Sequence, residues 1–389
     1  MAHLGLGAFH RAHQAWYTQH AGGEPWGIAA FTGRRPDAAD ALVAQGLRYT
    51  LITRSTDGDT GEGIDAIVAA HDGRSDAWAR TIADPEVGVL TVTVTEAGYR
   101  PGATPPERIA HALRARADAG GPGLAIVSCD NLPGNGQALR RAVLAAAAPD
   151  LVEWIAANAS FVDTMVDRIT PATTEADRVV ARALSGWDDR DPVVTEPHAE
   201  WYLAGGFPSG RPGWEGAGAR FVDDVAPYEE RKLWLLNAGH SLLAATGRLR
   251  GLETIDEAVA DPELGALVEA LWAEQRVVID LPAHEIDTAL DALRTRFANP
   301  RIRHRLDQIS QGAALKLGVR ILDPIARRRE VGLGPGDAQL QTLLAWGQLV
   351  ERSPGDAAEA ALARRLAGAG DSSRLGIVID TLTPHGETP

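Results

Sequence analysis

The sequence predicts an α/β protein, an N-terminal Rossmann-type doubly wound sheet followed by a mostly α-helical C-terminal domain. Three observations predict it. A short apolar strand at residues 2–5 runs straight into a glycine turn and a helix. Short apolar runs of strand length then alternate with helical stretches up to about residue 225, and from Pro227 onward the apolar positions recur at helical spacing. The change divides the 389 residues into 1–226, expected to bind a dinucleotide, and 227–389, expected to be a helical substrate and catalytic domain, with a cleft between them.

In chain order, the turn reads Gly5-Leu6-Gly7-Ala8-Phe9-His10, a G-x-G-x-x-G fingerprint with His10 in the place of the last glycine. The first two glycines matter most. They allow the tight turn and let the backbone approach a pyrophosphate at a helix N-terminus. His10, His13 and His20 follow on the helix. No acidic or third ligand stands at suitable spacing to His10 and His13, so helix surface or core suits them better than a metal site. The second strand, Trp26 to Phe31, leads into Thr32-Gly33-Arg34-Arg35, with no acid before Asp37. An acid there would hold the ribose 2′-hydroxyl of NAD, whereas an arginine such as Arg34 meets the 2′-phosphate of NADP. A solvated turn explains the same residues, and both readings stay open.

Further strands are expected at 49–53, 64–70, 87–94 and 124–128. The last two run into Thr95-Glu96-Ala97-Gly98-Tyr99 and Ser128-Cys129-Asp130-Asn131-Leu132-Pro133-Gly134-Asn135-Gly136. Ligands of such sheets lie beyond the carboxyl ends of the strands, which makes these polar residues cofactor or substrate candidates. The dense Asp-Asn-x-x-x-Asn-Gly cluster reads as functional rather than as turn chemistry. An extended stretch from Phe161 ends in Asp167-Arg168, and Val193 to Trp201 follows. Gly205 to Gly218, rich in Gly and Pro, is expected to be a loop or lid rather than a packed element. Phe221 to Val225 closes the strands. Helices are expected at 228–249, 254–275, 282–296, 301–326, 335–352 and 355–368, with a short irregular end after Asp371.

Composition narrows the function. Hydrophobic and charged fractions of 45% and 23% are those of an ordinary globular protein. The formal charge, 38 − 52 = −14, argues against nucleic acid or an anionic membrane as main partner and leaves a small molecule. No apolar run approaches a membrane span, and the first residues lack the pattern of a signal peptide. One cysteine, Cys129, excludes an internal disulfide and a Cys-based zinc site. A cytoplasmic metabolic protein is the expectation; the oligomeric state cannot be read from the residues.

Lysine usage points to the chemistry. Of the 38 basic residues only Lys232 and Lys316 are lysine. Arginine stays protonated in a protein, whereas a desolvated lysine can lose its proton near neutral pH, so a lysine kept against that bias suits a base. Lys232 lies in Tyr228-Glu-Glu-Arg-Lys232-Leu-Trp-Leu-Leu-Asn237-Ala-Gly-His240-Ser241. At about 100° per residue, Asn237 falls about 140° and His240 about 80° around from Lys232, so all three line one broad face. Lys, Asn and His together suit proton transfer to or from an alcohol, with amide donors stabilising the alkoxide. Tyr228-x-x-x-Lys232 also matches the pair of short-chain dehydrogenases. That family needs a serine about a dozen residues earlier, and here none stands between Ser209 and Ser241.

Taken together the chain resembles the mannitol dehydrogenase family, the polyol-specific long-chain dehydrogenases that include mannitol 2-dehydrogenase and the fructuronate and tagaturonate reductases. The resemblance runs in order through Gly5-Leu-Gly-Ala-Phe9-His-Arg-Ala-His-Gln14, Thr95-Glu-Ala-Gly98, Ser128-Cys-Asp-Asn131 with Asn135-Gly136, Val166-Asp167-Arg168-Ile-Thr-Pro171, Lys232-Leu-x-Leu-Leu-Asn237-x-x-His240-Ser241 and Arg296-Phe-Ala-Asn299-Pro300. It implies metal-independent, NAD- or NADP-linked interconversion of a secondary alcohol and a ketone on an open-chain polyol or aldonate. By residue it implies Lys232 as general acid/base, Asn131 and Asn237 polarising the carbonyl oxygen, Asp167 and His240 orienting substrate, and Lys316 or Arg320 binding its distal groups. Cofactor contacts are expected at Gly5, Gly7, Phe9, Arg34, Thr95, Glu96 and Asn131. The chain departs from the family in starting almost inside the first strand. It also reads Gly312-Ala-Ala-Leu-Lys316 where hexuronate reductases carry Asp-Gly-Ser-Gln before the distal lysine. Lys316 and Arg320, one helical turn apart, could still grip a carboxylate. The alternative from another class is a non-catalytic dinucleotide-binding sensor or structural relative, against which the intact Lys232-Asn237-His240 set argues.

Overall fold

In the computed structural model, which describes residues 1–33 and 35–383, the chain forms two compact units, Met1–Ala226 and Pro227–Pro389. Eleven strands lie in the first: β1 (Ala2–Leu4), β2 (Ile28–Phe31), β3 (Tyr49–Ser55), β4 (Gly58–Ile64), β5 (Ile67–His71), β6 (Val89–Val92), β7 (Leu124–Ser128), β8 (Ala159–Asp167), β9 (Val193–Thr195), β10 (Glu200–Ala204) and β11 (Arg220–Phe221). Eight of them make one sheet in the order β11-β10-β8-β7-β6-β1-β2-β5. From β5 to β8 every neighbouring pair is parallel, and the order reverses between β1 and β6. This is the doubly wound topology, whose ligand crevice lies at the reversal.

The central strands are buried on both faces, which is why they read as unbroken apolar runs. Along β6 and β7, Val89, Ala125 and Val127 enter one core cluster, whereas Leu90, Val92, Leu124 and Ile126 enter the other. That is the two-residue alternation of a strand. The expected strand at 49–53 belongs instead to a separate three-stranded sheet, β4-β3-β9. Its hairpin partner β4, with residues Gly-Asp-Thr-Gly-Glu-Gly-Ile, carries too few apolar side chains to show a strand signal.

One expected loop is packed. Within Gly205 to Gly218, Trp214 is fully buried and its indole N–H donates to Thr18 Oγ1 at 3.1 Å, while Gly213 and Gly22 pair as a β-bridge. Glycine and proline there permit close approach rather than mobility; a Cβ on Gly213 would meet the carbonyl oxygen of Gly22 at 2.4 Å. The closing strand is only the two residues of β11.

The second unit is helical around a core that includes Trp234, Leu235, Leu243, Trp272, Phe297 and Trp346. The expected helix at 301–326 is broken into pieces at 306–310, 313–317 and 318–322 before Asp323–Glu330. The end after Asp371 is a helix, Asp371–Leu382, not an irregular tail. Val378 and Leu382, four apart, bury themselves in the core, and Gly347 on a neighbouring helix leaves room for Val378 at 3.0 Å. Among the described residues no helix is long and apolar enough to cross a membrane.

Candidate functional site

At the sheet reversal the glycine turn is held by its neighbours. Gly5 has φ +113°, and a Cβ there would lie 1.9 Å from the carbonyl oxygen of Thr93, just beyond β6. Only glycine fits. The N–H groups of Gly5 and Leu6 both donate to Phe31 O at the end of β2, at 2.8 and 2.9 Å. Gly7 is different: its backbone is extended and the nearest atom to a Cβ lies at 3.6 Å, so nothing in the protein itself demands glycine there. Phe9 is half-buried and stacks on His13 with centroids 5.1 Å apart. Arg34 lies outside the described residues; Arg35 is exposed and pairs with Asp37 at 3.4 Å.

The histidines around the turn are core. His3, His10 and His13 are fully buried, and His3 and His10 stack at 3.3 Å. His3 bonds Thr91 Oγ1 and Thr93 Oγ1, and burial pulls its pKa down to about 3. Burial likewise holds His10 well below the usual histidine range. Both are neutral packing groups.

Beyond β6 and β7 the Asp-Asn-x-x-x-Asn-Gly cluster, read from the sequence as functional, divides into a buried backbone frame and an exposed end. Asp130 accepts from Val94 N at 2.9 Å, Thr95 N at 2.8 Å and Tyr99 Oη at 2.7 Å. It thereby holds Thr95 at φ +66°, a strained value for a threonine. Burial pushes the Asp130 carboxyl up, and these three donors oppose that shift. Asn135 is fully buried: its amide donates to Asp130 O and Thr164 O and accepts from Thr164 N, tying β7 to β8. A Cβ on Gly136 would strike Val162 backbone at 2.6 Å. Asn131, Thr95 and Glu96 are exposed, beyond the carboxyl ends of β7 and β6, the side on which open α/β sheets bind ligands.

Asp167, almost buried at the end of β8, faces Glu200 directly across the antiparallel β8–β10 ladder. His198 Nε2 stands 3.6 Å from Asp167 and 3.9 Å from Glu200. One ligand atom from each lies within 4.8 Å of the others, the grouping among the described residues with metal-ligand geometry. Sequence reasoning missed His198 and Glu200, because the ladder and not the spacing brings them together. Arg168, next to Asp167 in the sequence, turns inward. It donates to Ala12 O at 2.6 Å, covers the Trp16 ring at 4.7 Å, and burial lowers its pKa to about 10.

In the helical unit, Lys232 to Asn237 form a π-helix between α-helical stretches, Ala226–Arg231 before and Ala238–Leu249 after. Ala238 N–H reaches Leu233 O, five residues back. That overturns the α-helical phase expected from the sequence. Five residues are the hydrogen-bonded repeat of a π turn, so Lys232 and Asn237 stand nearly one above the other instead of about 140° apart. Lys232 is half-buried and Asn237 is 9% exposed. Asn237 Nδ2 is buried and has no hydrogen-bond partner among the described residues, a donor held ready for a ligand.

His240 is 6% exposed, stacked on Phe297 with centroids 4.7 Å apart and edge-on to His304. Burial, with the charge of Arg296, lowers His304 to about 4. Lys316 Nζ donates to the carbonyls of Ile309 and Gln311. Arg320 Nη1 donates to Asn237 O at 3.3 Å and Ser241 Oγ at 3.0 Å, so it meets the Lys232 helix itself. A cavity of about 340 Å³ lined by Arg248, Asp307, Trp346 and Glu359 lies at the far end of that helix, without Lys232 or Asn237 in its wall.

Two family models match the chain, the mannitol dehydrogenase Rossmann domain over residues 1–216 and the mannitol dehydrogenase C-terminal domain over 224–347. The chain belongs to the mannitol dehydrogenase family. It is 35% identical to the D-mannonate oxidoreductase of Escherichia coli K12, over 84% of this chain and 74% of that one. It is 34% identical to the mannitol 2-dehydrogenase of Cereibacter sphaeroides, over 78% of this chain and 70% of that one. The fold matches that of Pseudomonas fluorescens mannitol 2-dehydrogenase, solved as a ternary complex with NAD and D-mannitol. The TM-score is 0.80 at 29% identity, covering 98% of this chain and 93% of that one. As a mannitol dehydrogenase family member the protein is an NAD(P)-dependent dehydrogenase acting on CH–OH donors.

Proposed function

We propose that the protein interconverts a secondary alcohol and a ketone on an open-chain polyol or aldonate with NAD or NADP, and that Lys232 is its general acid/base. One observation carries this reading: the π turn lines up Lys232 with Asn237, whose buried amide N–H has no partner among the described residues. A secondary alcohol needs that pair. As the alcohol is oxidised, neutral Lys232 Nζ takes the hydroxyl proton. Asn237, with Asn131, donates to the oxygen as negative charge gathers on it. A nicotinamide held by the glycine turn and the ends of β6 and β7 would supply the other half of the chemistry, an acceptor for the hydride of the carbinol carbon. In reduction Lys232 returns the proton. Asp167 and His240 orient the substrate, the first by accepting from its hydroxyls.

Gly5, Gly7, Phe9, Thr95, Glu96 and Asn131 hold the dinucleotide in this reading, at the turn and the two strand ends. Arg34 would meet a 2′-phosphate, which makes NADP the cofactor to compare with NAD. The kinship to a D-mannonate oxidoreductase and to mannitol 2-dehydrogenases supports both substrate classes.

Turnover is measured with mannitol, arabinitol, sorbitol, mannonate and altronate, each with NAD and NADP, for the native enzyme and for Lys232→Ala. The variant should lose about 10³-fold in kcat, the upper range for a positioned acid/base, with cofactor affinity within about twofold. Near-normal kcat in Lys232→Ala would remove the base assignment. Cofactor binding without turnover on any substrate would mean a dinucleotide sensor.

A further inference from the structure

The helical unit holds a second π segment, Gly318–Leu322, and Asp323 N–H reaches Gly318 O across its five-residue turn. π turns are rare, and those that persist are held by tertiary partners and cluster at functional sites. Here the two segments hold each other. Trp234, within the first, donates its indole N–H to Val319 O in the second at 3.2 Å. Arg320, within the second, donates back to Asn237 O at the end of the first and to Ser241 Oγ. Ser241 Oγ in turn donates to Asn237 O at 3.0 Å, closing a small ring of three groups. Two outside residues complete the clasp: Trp272 Nε1 donates to Leu235 O at 2.9 Å and Gln275 Nε2 to Arg320 O at 3.2 Å.

From this reciprocal clasp we infer that Arg320 is a positioning residue for the reaction and not a ligand of the substrate's distal end. Its guanidinium locks the π turn that lines up Lys232 with Asn237. The geometry of the two donor bonds decides between these roles. Both partners of Arg320 Nη1 belong to the Lys232 helix, one the backbone of Asn237 itself and the other one α turn further on. A planar fork can bond a carbonyl and a hydroxyl together and so fix the helix in rotation as well as in place. Without the clasp the segment can relax towards α-helical bonding, which would swing Asn237 away from Lys232 by about 100°. The effect then falls on the chemical step, where the amide meets developing charge, and not on substrate binding.

The inference rests on Lys232 and Asn237 carrying the chemistry, a reading that the Lys232→Ala measurement tests separately. The experiment is steady-state kinetics of Arg320→Ala with the best substrate of the panel, with and without guanidinium, alongside hydrogen exchange over residues 232–241. Arg320→Ala should lose at least 30-fold in kcat with substrate KM within threefold, and exchange over 232–241 should quicken. Free guanidinium should restore kcat at least fivefold. Should Arg320→Ala not fold, Arg320→Lys and Ser241→Ala each remove one arm of the ring and should lower kcat about fivefold at unchanged KM. A substrate KM raised tenfold or more with kcat kept would make Arg320 a substrate ligand and overturn the proposal. Native kcat and KM in the variants would overturn it as well. If Lys232→Ala keeps its activity while Arg320→Ala still quickens exchange, the clasp stands as structure and its role in this reaction falls.

Discussion

The glycine turn after β1 and the π segment at Lys232 solve opposite problems. In the turn, a residue without a side chain lets two pieces of backbone meet. Gly5 sits at φ +113° against Thr93 O, and its N–H and that of Leu6 converge on Phe31 O. The constraint is steric and local, and it is written in one residue type. In the π segment every residue from Lys232 to Asn237 is a reasonable α-helix former, and the departure from α geometry comes from outside. The indole of Trp272 and the guanidinium of Arg320, 37 and 83 residues away, cap its carbonyls at Leu235 and Asn237. The cofactor frame is thus set by what is missing from a side chain, and the Lys-Asn alignment by what distant side chains add.

The largest effect that would break this comparison belongs to Gly5. Gly5→Ala must place a methyl group 1.9 Å from Thr93 O at a φ that L-residues avoid. Strain and overpacking together cost about 3 kcal/mol or more. The variant should melt well below the native protein and lose measurable NADH binding by fluorescence titration. A native melting temperature with native affinity would show that the turn is not set sterically.

This contrast also explains how much was legible beforehand. The Rossmann-type sheet and the mostly helical second half followed from local signals, namely the glycine turn, apolar runs of strand length and the onset of helical spacing. Lysine usage and the expected helical phase singled out Lys232, Asn237 and His240 on one helix, and the family resemblance supplied the roles expected of them. What local reasoning could not give was the phase within that helix, because the donors that widen it lie far away in sequence. The same limit applies to Asp130 and Asn135. Their residue types fit a ligand site and a backbone clamp equally, and only the positions of Val94, Thr95 and Thr164 distinguish the two. His198 and Glu200 were invisible for the converse reason: the β8–β10 register, and no sequence motif, sets them beside Asp167.

A middle-sized effect sharpens the comparison through pH. Each unit buries a neutral histidine: His3, lowered to about 3, under the glycine turn, and His304, lowered to about 4, beside His240. In the unfolded chain both titrate near 6.5. Below that pH the unfolded state binds more protons, so stability is present above about 6.5 and lost as pH falls towards the folded values. At pH 5 each histidine should account for a loss of about 2 kcal/mol relative to pH 8. The buried Asp130 carboxyl, raised in the folded state, works in the other direction: its share is present below the usual carboxylate pKa and fades as pH rises through the folded value. Urea unfolding at pH 8, 6.5 and 5 measures the slope, and His304→Leu should flatten it by about 2 kcal/mol. An unchanged slope in that variant would mean that His304 is protonated in the folded protein.

The smallest expected effect is the most informative about the turn, because it separates what the protein needs from what the ligand needs. Gly7 caps the helix Ala8–Ala12 in an extended conformation open to any residue, and a Cβ there touches nothing nearer than 3.6 Å. Gly7→Ala should therefore change stability by less than about 0.5 kcal/mol, within the range of neutral substitutions. If a pyrophosphate approaches the backbone at this position, the added methyl group stands where its oxygens come closest, and NADH affinity should fall about tenfold, or about 1.4 kcal/mol. Thermal melting and an NADH titration on the same sample read the two quantities together. Loss of affinity at native stability would assign Gly7 to the ligand, as Gly5 is assigned to the fold. Native affinity would place the dinucleotide elsewhere along the reversal and leave Gly5 as a turn residue alone.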